Sequence, residues 1–131
     1  EALLAVPGVE VLVDGYNVTL RTWPDLDLAE QRLRLEQGMA SVAVRTGAGF
    51  TVVYDGDGTG GRPARRASSP VRVRFTPDGH EADDEILAAV AALDPTVGVL
   101  VVSDDRRVVD GAAELGANTV PGAVLVSLFR R

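Results

Sequence analysis

Val9-Glu10-Val11-Leu12-Val13, followed at once by Asp14, is the stretch on which the fold turns. It is short, apolar and β-branched, which suits a strand buried on both faces better than a helix. Two other stretches match it: Phe50-Thr51-Val52-Val53-Tyr54 and Val97-Gly98-Val99-Leu100-Val101-Val102. A fourth, Val71-Arg72-Val73-Arg74-Phe75, alternates strictly. That pattern predicts an edge strand with Val71, Val73 and Phe75 facing the core and both arginines facing out. Asn118 to Val120 reads as a short fifth strand.

Helical spacing fills the intervals. From Asp27 to Thr46, Leu28, Leu35, Met39 and Val42 recur on one stripe, widened by Leu33 and Ala40, and Gly47 stops the helix. Ile86, Val90 and Leu93 mark a second helix over 81–93, on which Leu87 and Val90 share a face with Asp83. Val108, Val109, Ala112 and Leu115 mark a third over 105–115, ended by Gly116. The tail after Pro121 reads as the start of another. Strands alternating with helices predict an α/β domain, a parallel sheet covered on both faces.

Composition bounds the function. The 131 residues suffice for one domain with a real core, taken here as residues 1–131. Opening on Glu1 rather than Met, the chain reads as a piece of a longer protein. Without cysteine it has neither disulfides nor a thiolate metal site. No apolar run reaches the roughly 18 residues of a membrane span, and there is no secretory signal, so the expected location is cytoplasmic. The net charge of −6 disfavours indiscriminate binding to nucleic acid. Yet all 13 basic residues are arginine, and Arg62, Arg65, Arg66, Arg72 and Arg74 fall between Gly58 and Pro77, a stretch without a single acid. The Gly/Arg/Ser-rich loop from Gly56 to Pro70 is long for a compact domain, which marks it as functional or mobile.

Open parallel sheets bind ligands beyond the carboxyl ends of their strands. Val13 is followed by Asp14, Tyr54 by Asp55, and Val102 by Ser103-Asp104-Asp105, while Glu81-Ala82-Asp83-Asp84 opens a helix. Asp83 shares the sheet-facing stripe with Ile86 and Leu87, whereas Asp84 aligns with Ala88 and Ala91 towards the flank. Carboxylates that converge repel, and a hard divalent cation such as Mg²⁺ or Mn²⁺ relieves them. Each acid taken alone also reads as a helix cap, above all Asp105 and Glu81.

Val11-Leu12-Val13-Asp14-Gly15-Tyr16-Asn17, Val53-Tyr54-Asp55, Phe75-Thr76 with Gly79 and Glu81-Ala82-Asp83-Asp84 and Ile86, and Val102-Ser103-Asp104 with Arg106 occur in this order. The set resembles the NYN domains of the YacP-like group, which are PIN-like ribonucleases. The resemblance implies a three-layer α/β/α fold with a central, mostly parallel sheet and Mg²⁺- or Mn²⁺-dependent cleavage of RNA, endonucleolytic in the family. It implies that Asp14, Asp83 and Asp104 form the acidic metal centre, that Asn17 orients the centre or the substrate, and that Asp105 and Glu81 assist, Asp105 as a further ligand. Asp55 joins them as a secondary acid. Tyr16 is expected to stack on a base, and Arg62, Arg65 and Arg66 to hold the RNA backbone.

Two readings compete. Asp55-Gly56-Asp57-Gly58-Thr59 after a strand matches the nucleophile motif of haloacid-dehalogenase-type phosphatases, with Asp55 attacking and Asp57 as the acid. That chemistry calls for a lysine, and the chain has none. The other is a non-catalytic RNA-binding module. A Ser-His-Asp triad from Ser103 and His80 lacks a nucleophile elbow. Trp23 reads as a packing residue.

Overall fold

The computed structural model describes residues 4, 6, 8–56, 70–77 and 79–129. Among the described residues, five strands form one sheet: β1 (Glu10–Asp14), β2 (Gly49–Tyr54), β3 (Val71–Phe75), β4 (Val99–Val102) and β5 (Asn118–Val120). Their spatial order is β3-β2-β1-β4-β5 and every pairing is parallel. Among the same residues, five helices accompany them: α1 (Gly15–Thr22), α2 (Leu28–Thr46), α3 (Ala82–Ala92), α4 (Arg106–Glu114) and α5 (Gly122–Ser127).

Strand periodicity divides the core into two layers. Val11, Val13, Phe50, Val52, Tyr54, Val71, Leu100 and Val102 point to one face, where α1, α2 and α5 supply Val18, Leu35, Met39, Val42 and Leu125. Leu12, Val53 and Val101 point to the other, against Ala82, Ile86 and Val90 of α3 and Val108 and Ala112 of α4. The result is three layers, α/β/α, with the sheet in the middle. β3 is an edge strand as its alternation predicts: Val71 is buried, Val73 and Phe75 are half-buried, and Arg72 and Arg74 are exposed.

Four local readings need correcting. Residues 15–22 form a helix that no sequence signal announced. Leu28 and Leu33 are exposed on α2, while Gln31 and Ala43 are buried on it. Gln31 is buried because its amide donates to Trp23 O at 3.1 Å and Leu26 O at 2.9 Å, closing the turn between α1 and α2. Leu115, placed on the core stripe of α4, is 49% exposed. β4 starts at Val99, two residues late, because Val97 N closes a turn onto Asp94 O.

The chain runs outward from β1 through β2 to β3, then returns to the other side of β1 for β4 and β5. The strand order therefore reverses between β1 and β4. Such a switch point opens a crevice at the carboxyl ends of the two strands, because the connections leaving them diverge. Val13 pairs with Val102, so Asp14 and Ser103 face one another at its mouth.

Candidate active site

Asp14 ends β1 and is 8% exposed. Ser103, the first residue after β4, donates its hydroxyl to Asp14 Oδ2 at 2.9 Å. The same oxygen lies 3.5 Å from Asn17 Oδ1, but it carries one hydrogen and the carboxylate is the nearer and stronger acceptor. Burial pushes the Asp14 carboxyl from its ordinary 3.8 to about 6. The Ser103 bond opposes that rise, while the charges of Asp105, Asp55 and Asp83, in that order, add to it. Acids from a strand end, a helix start and a loop are thus close enough to Asp14 to alter its titration.

Asn17 projects from α1, one turn beyond the strand. Its Oδ1 accepts from Asp104 N at 2.8 Å. A backbone N–H can only donate, so this bond fixes which end of the amide is oxygen. The nitrogen, with two hydrogens to give, has no partner among the described residues. Ser103 Oγ also accepts from Asp105 N at 3.0 Å, and the loop after β4 is thereby pinned to β1 and α1. Asp104 turns Oδ2 to Gly122 N at 3.2 Å, at the start of α5. It lines a cavity between α1 and α5 together with Arg21, Thr22 and Ser127.

Asp105 is the N-cap of α4, accepting from Arg107 N at 2.9 Å. Glu81 holds the N-cap position of α3 without capping it. Asp55 does that work from the end of β2, where its Oδ1 accepts from Ala82 N at 2.5 Å. The expected capping role thus falls to Asp105 and Asp55 and passes Glu81 by. Freed from it, Glu81 stands with Asp83 and Asp84, and oxygens of all three lie within 4.8 Å of one another. The Asp83 side chain is 12% exposed and that of Asp84 is 59% exposed, so the two differ in depth as well as in direction.

Arg107 faces this group from α4. Its Nη1 lies 3.1 Å from Glu81 Oε2 and 2.7 Å from Asp83 Oδ2, and its Nη2 meets Asp84 Oδ1. The Asp83 carboxylate, followed by that of Asp84, holds the guanidinium above its usual range. The charge of Asp83 likewise raises Glu81 above the ordinary carboxylate range. Neither Arg107 nor Ser103 was picked out from sequence as part of the site. A usable signal existed for Arg107: two arginines open α4, where the helix dipole disfavours cations unless acids face them.

Tyr16 packs its ring 4.9 Å from that of Tyr54, which lies 5.2 Å from Phe75. Arg32 donates to Tyr16 Oη at 2.8 Å and lies 5.7 Å over the Phe75 ring. Tyr16 is half-buried, so its ring is shared between packing and solvent. His80 is exposed, and its carbonyl accepts from Thr76 Oγ1. Trp23 is half-buried against the core. Arg62, Arg65, Arg66 and Asp57 lie outside the described residues. Among those described, no helix is long and apolar enough to cross a membrane.

The comparison with known proteins agrees with the fold. None of the curated proteins matches the chain. Among solved structures, the crystal structure of Rae1 (YacP) from Bacillus subtilis is similar with a TM-score of 0.73 and 28% identity, over 92% of this chain and 75% of that one. A tryptophan-to-leucine mutant of the same protein gives a TM-score of 0.76 at 28% identity, over 93% and 75%. These neighbours and the family point to a nuclease-type enzyme. The model of the YacP-like NYN domain matches residues 11–131, and the chain belongs to that family.

Proposed function

We propose that this chain is a metal-dependent endoribonuclease that hydrolyses RNA phosphodiester bonds at the crevice between β1 and β4, in the cytoplasm. The observation that carries the reading is Asp14: a carboxylate 8% exposed, with the charges of Asp105, Asp55 and Asp83 acting on it. A buried acid among acids is costly unless a cation joins it. The donor set suits a hard divalent ion, Mg²⁺ or Mn²⁺, since it is made of carboxylate oxygens with no sulfur.

Asp14, Asp83 and Asp104 would hold the ion, with Asp105 beside them and Glu81 and Asp55 at the margin. Bound there, the ion supplies Lewis acidity, which acidifies water and neutralises charge on phosphoryl oxygens. The protein's own groups do the rest. Ser103 keeps Asp14 oriented and ionisable through its 2.9 Å bond. Asn17, its oxygen held by Asp104 N, offers two amide hydrogens to a phosphate. Tyr16 offers its half-buried ring for stacking on a base, and Arg62, Arg65 and Arg66 supply positive charge for the RNA backbone. Capping α3 occupies one oxygen of Asp55, which counts against the phosphatase reading that needs Asp55 as nucleophile.

The test is cleavage of RNA with Mg²⁺ or Mn²⁺, with and without chelator, for the wild type and Asp14→Asn. Activity should require the ion and fall at least about 100-fold in the variant. Cleavage that survives both chelation and substitution would exclude the mechanism.

A further inference from the structure

Arg107 sits in the first turn of α4, where the helix dipole works against a cation. Its neighbour Arg106 behaves as that position predicts: it is 92% exposed and its nearest acid, Asp110, is 3.8 Å away. Arg107 instead reaches across to three carboxylates at the start of α3. One positive charge faces three negative ones, so the cluster retains a formal excess of two. Asp83 is the deepest of the three, and both its oxygens are engaged: Oδ1 accepts from Asp84 N at 2.9 Å and Oδ2 from Arg107.

We propose that Arg107 is a positioning residue for the acidic centre: it is the resident counter-ion of Asp83 and yields that carboxylate to the divalent ion. The inference rests on the metal-dependent reading above. Without the ion, the guanidinium screens repulsion among Glu81, Asp83 and Asp84 and holds Asp83 in place. With the ion present, two cations compete for the Asp83 carboxylate. At a separation of about 6 Å in a water-like dielectric, a single charge opposes a divalent ion enough to change its affinity roughly tenfold.

A purely structural tie between α3 and α4 predicts the opposite sign. If Arg107 only braced the helices, its loss would loosen Asp83 and weaken ion binding or leave it unchanged. Mn²⁺ affinity by calorimetry, in the absence of RNA, therefore decides. Arg107→Gln should bind Mn²⁺ about three- to tenfold more tightly than the wild type. Arg107→Lys, which keeps the charge, should stay near the wild type, and so should Arg106→Gln. The metal-free Arg107→Gln protein should melt lower than the wild type and gain more from saturating Mn²⁺. Equal or weaker binding by Arg107→Gln overturns the proposal, and so does equal tightening by Arg106→Gln, which would reveal only a general field.

A measurement on the wild type covers the case in which Arg107→Gln does not fold. On titration with Mg²⁺, the Arg107 guanidinium NMR signal should move towards that of a free arginine. A signal that stays put while Mg²⁺ binds overturns the exchange and leaves the metal centre standing. If neither ion binds the wild type, the metal reading fails and the exchange fails with it.

Discussion

Ser103 Oγ stands 2.9 Å from Asp14 Oδ2, bridging the two strands between which the sheet reverses its order. The hydroxyl gives its hydrogen to Asp14 and receives one from Asp105 N, so both of its roles are taken. A hydrogen bond to the charged form of an acid lowers its pKa, and Ser103 is the one influence among those on Asp14 that does so.

Ser103→Ala should consequently move the Asp14 carboxyl above its present value of about 6. The acid limb of the pH–rate profile should shift upward by roughly half a unit to one unit, with the rate on the plateau reduced less than at pH 6. Leaving Asp105 N without its acceptor should also cost about 1 kcal/mol of stability. A profile that keeps its acid limb would show that Asp14 does not set it.

The Asp14 carboxylate carries a stability cost that can be measured directly. Its folded pKa of about 6 exceeds the ordinary 3.8, so between those values the folded chain holds a proton that the unfolded chain has released. The metal-free protein therefore loses stability as pH rises from about 4 to about 6, and above that the loss is complete. A two-unit shift corresponds to something on the order of 3 kcal/mol. Asp14→Asn removes the charge while keeping an acceptor for Ser103. At pH 7.5, without divalent ions, the variant should melt roughly 9–15 °C above the wild type, and the gap should close by pH 4. The same variant should be inactive, a gain in stability at the expense of function. Equal melting temperatures at pH 7.5 would refute the cost.

How far the sequence disclosed this arrangement depended on where the information lay. Strands β1, β2 and β4 were legible because a strand covered on both faces must be apolar along its length, and β3 because an edge strand alternates. The acids could be located because strand ends and helix starts are positions fixed by the elements themselves. Helix α1 was not legible. Gly15, Asn17, Val18, Thr19 and Thr22 are poor helix formers, and its N-cap residue, Asp14, makes no capping bond because its side chain is committed to Ser103. Burial of Val18 and Thr19 holds the helix instead, and local sequence cannot show burial. Arg107 was hidden for a similar reason: its partners lie 23 to 26 residues earlier and meet it only once α3 and α4 share a face of the sheet.

Gly15 shows how tightly the first turn of α1 is fitted. A Cβ placed there would come within 2.3 Å of the Tyr54 ring. Tyr54 is fully buried and donates to Glu36 Oε2 at 2.8 Å, so it has no free space to enter. Gly15→Ala should destabilise the protein by about 1–3 kcal/mol through overpacking. Because Tyr16 and Asn17 follow directly, their positions should move too, and activity should fall more than the stability loss alone would cause. Thermal melting and cleavage assays on the same preparations separate the two effects; an unchanged melting temperature would mean that the helix start yields easily.

Asp105 and Asp104 are adjacent and can be told apart by charge-only substitutions. Asparagine keeps the acceptor that Asp105 offers to Arg107 N and the one that Asp104 offers to Gly122 N, so Asp105→Asn and Asp104→Asn should each alter stability by less than about 1 kcal/mol. Their electrostatic effects should differ. The Asp105 charge is the largest of the carboxylate influences raising Asp14, ahead of Asp55 and Asp83. Followed by NMR titration in the absence of metal, the Asp14 carboxyl should fall further in Asp105→Asn than in Asp55→Asn or Asp83→Asn. Divalent binding competes with protonation of Asp14, so Mn²⁺ affinity in the wild type should weaken by about tenfold per pH unit below pH 6. In Asp105→Asn that weakening should begin at lower pH, while the affinity above pH 7 drops because a negative charge is gone. An acid limb left in place by Asp105→Asn would mean that its carboxylate does not act on Asp14 across the crevice.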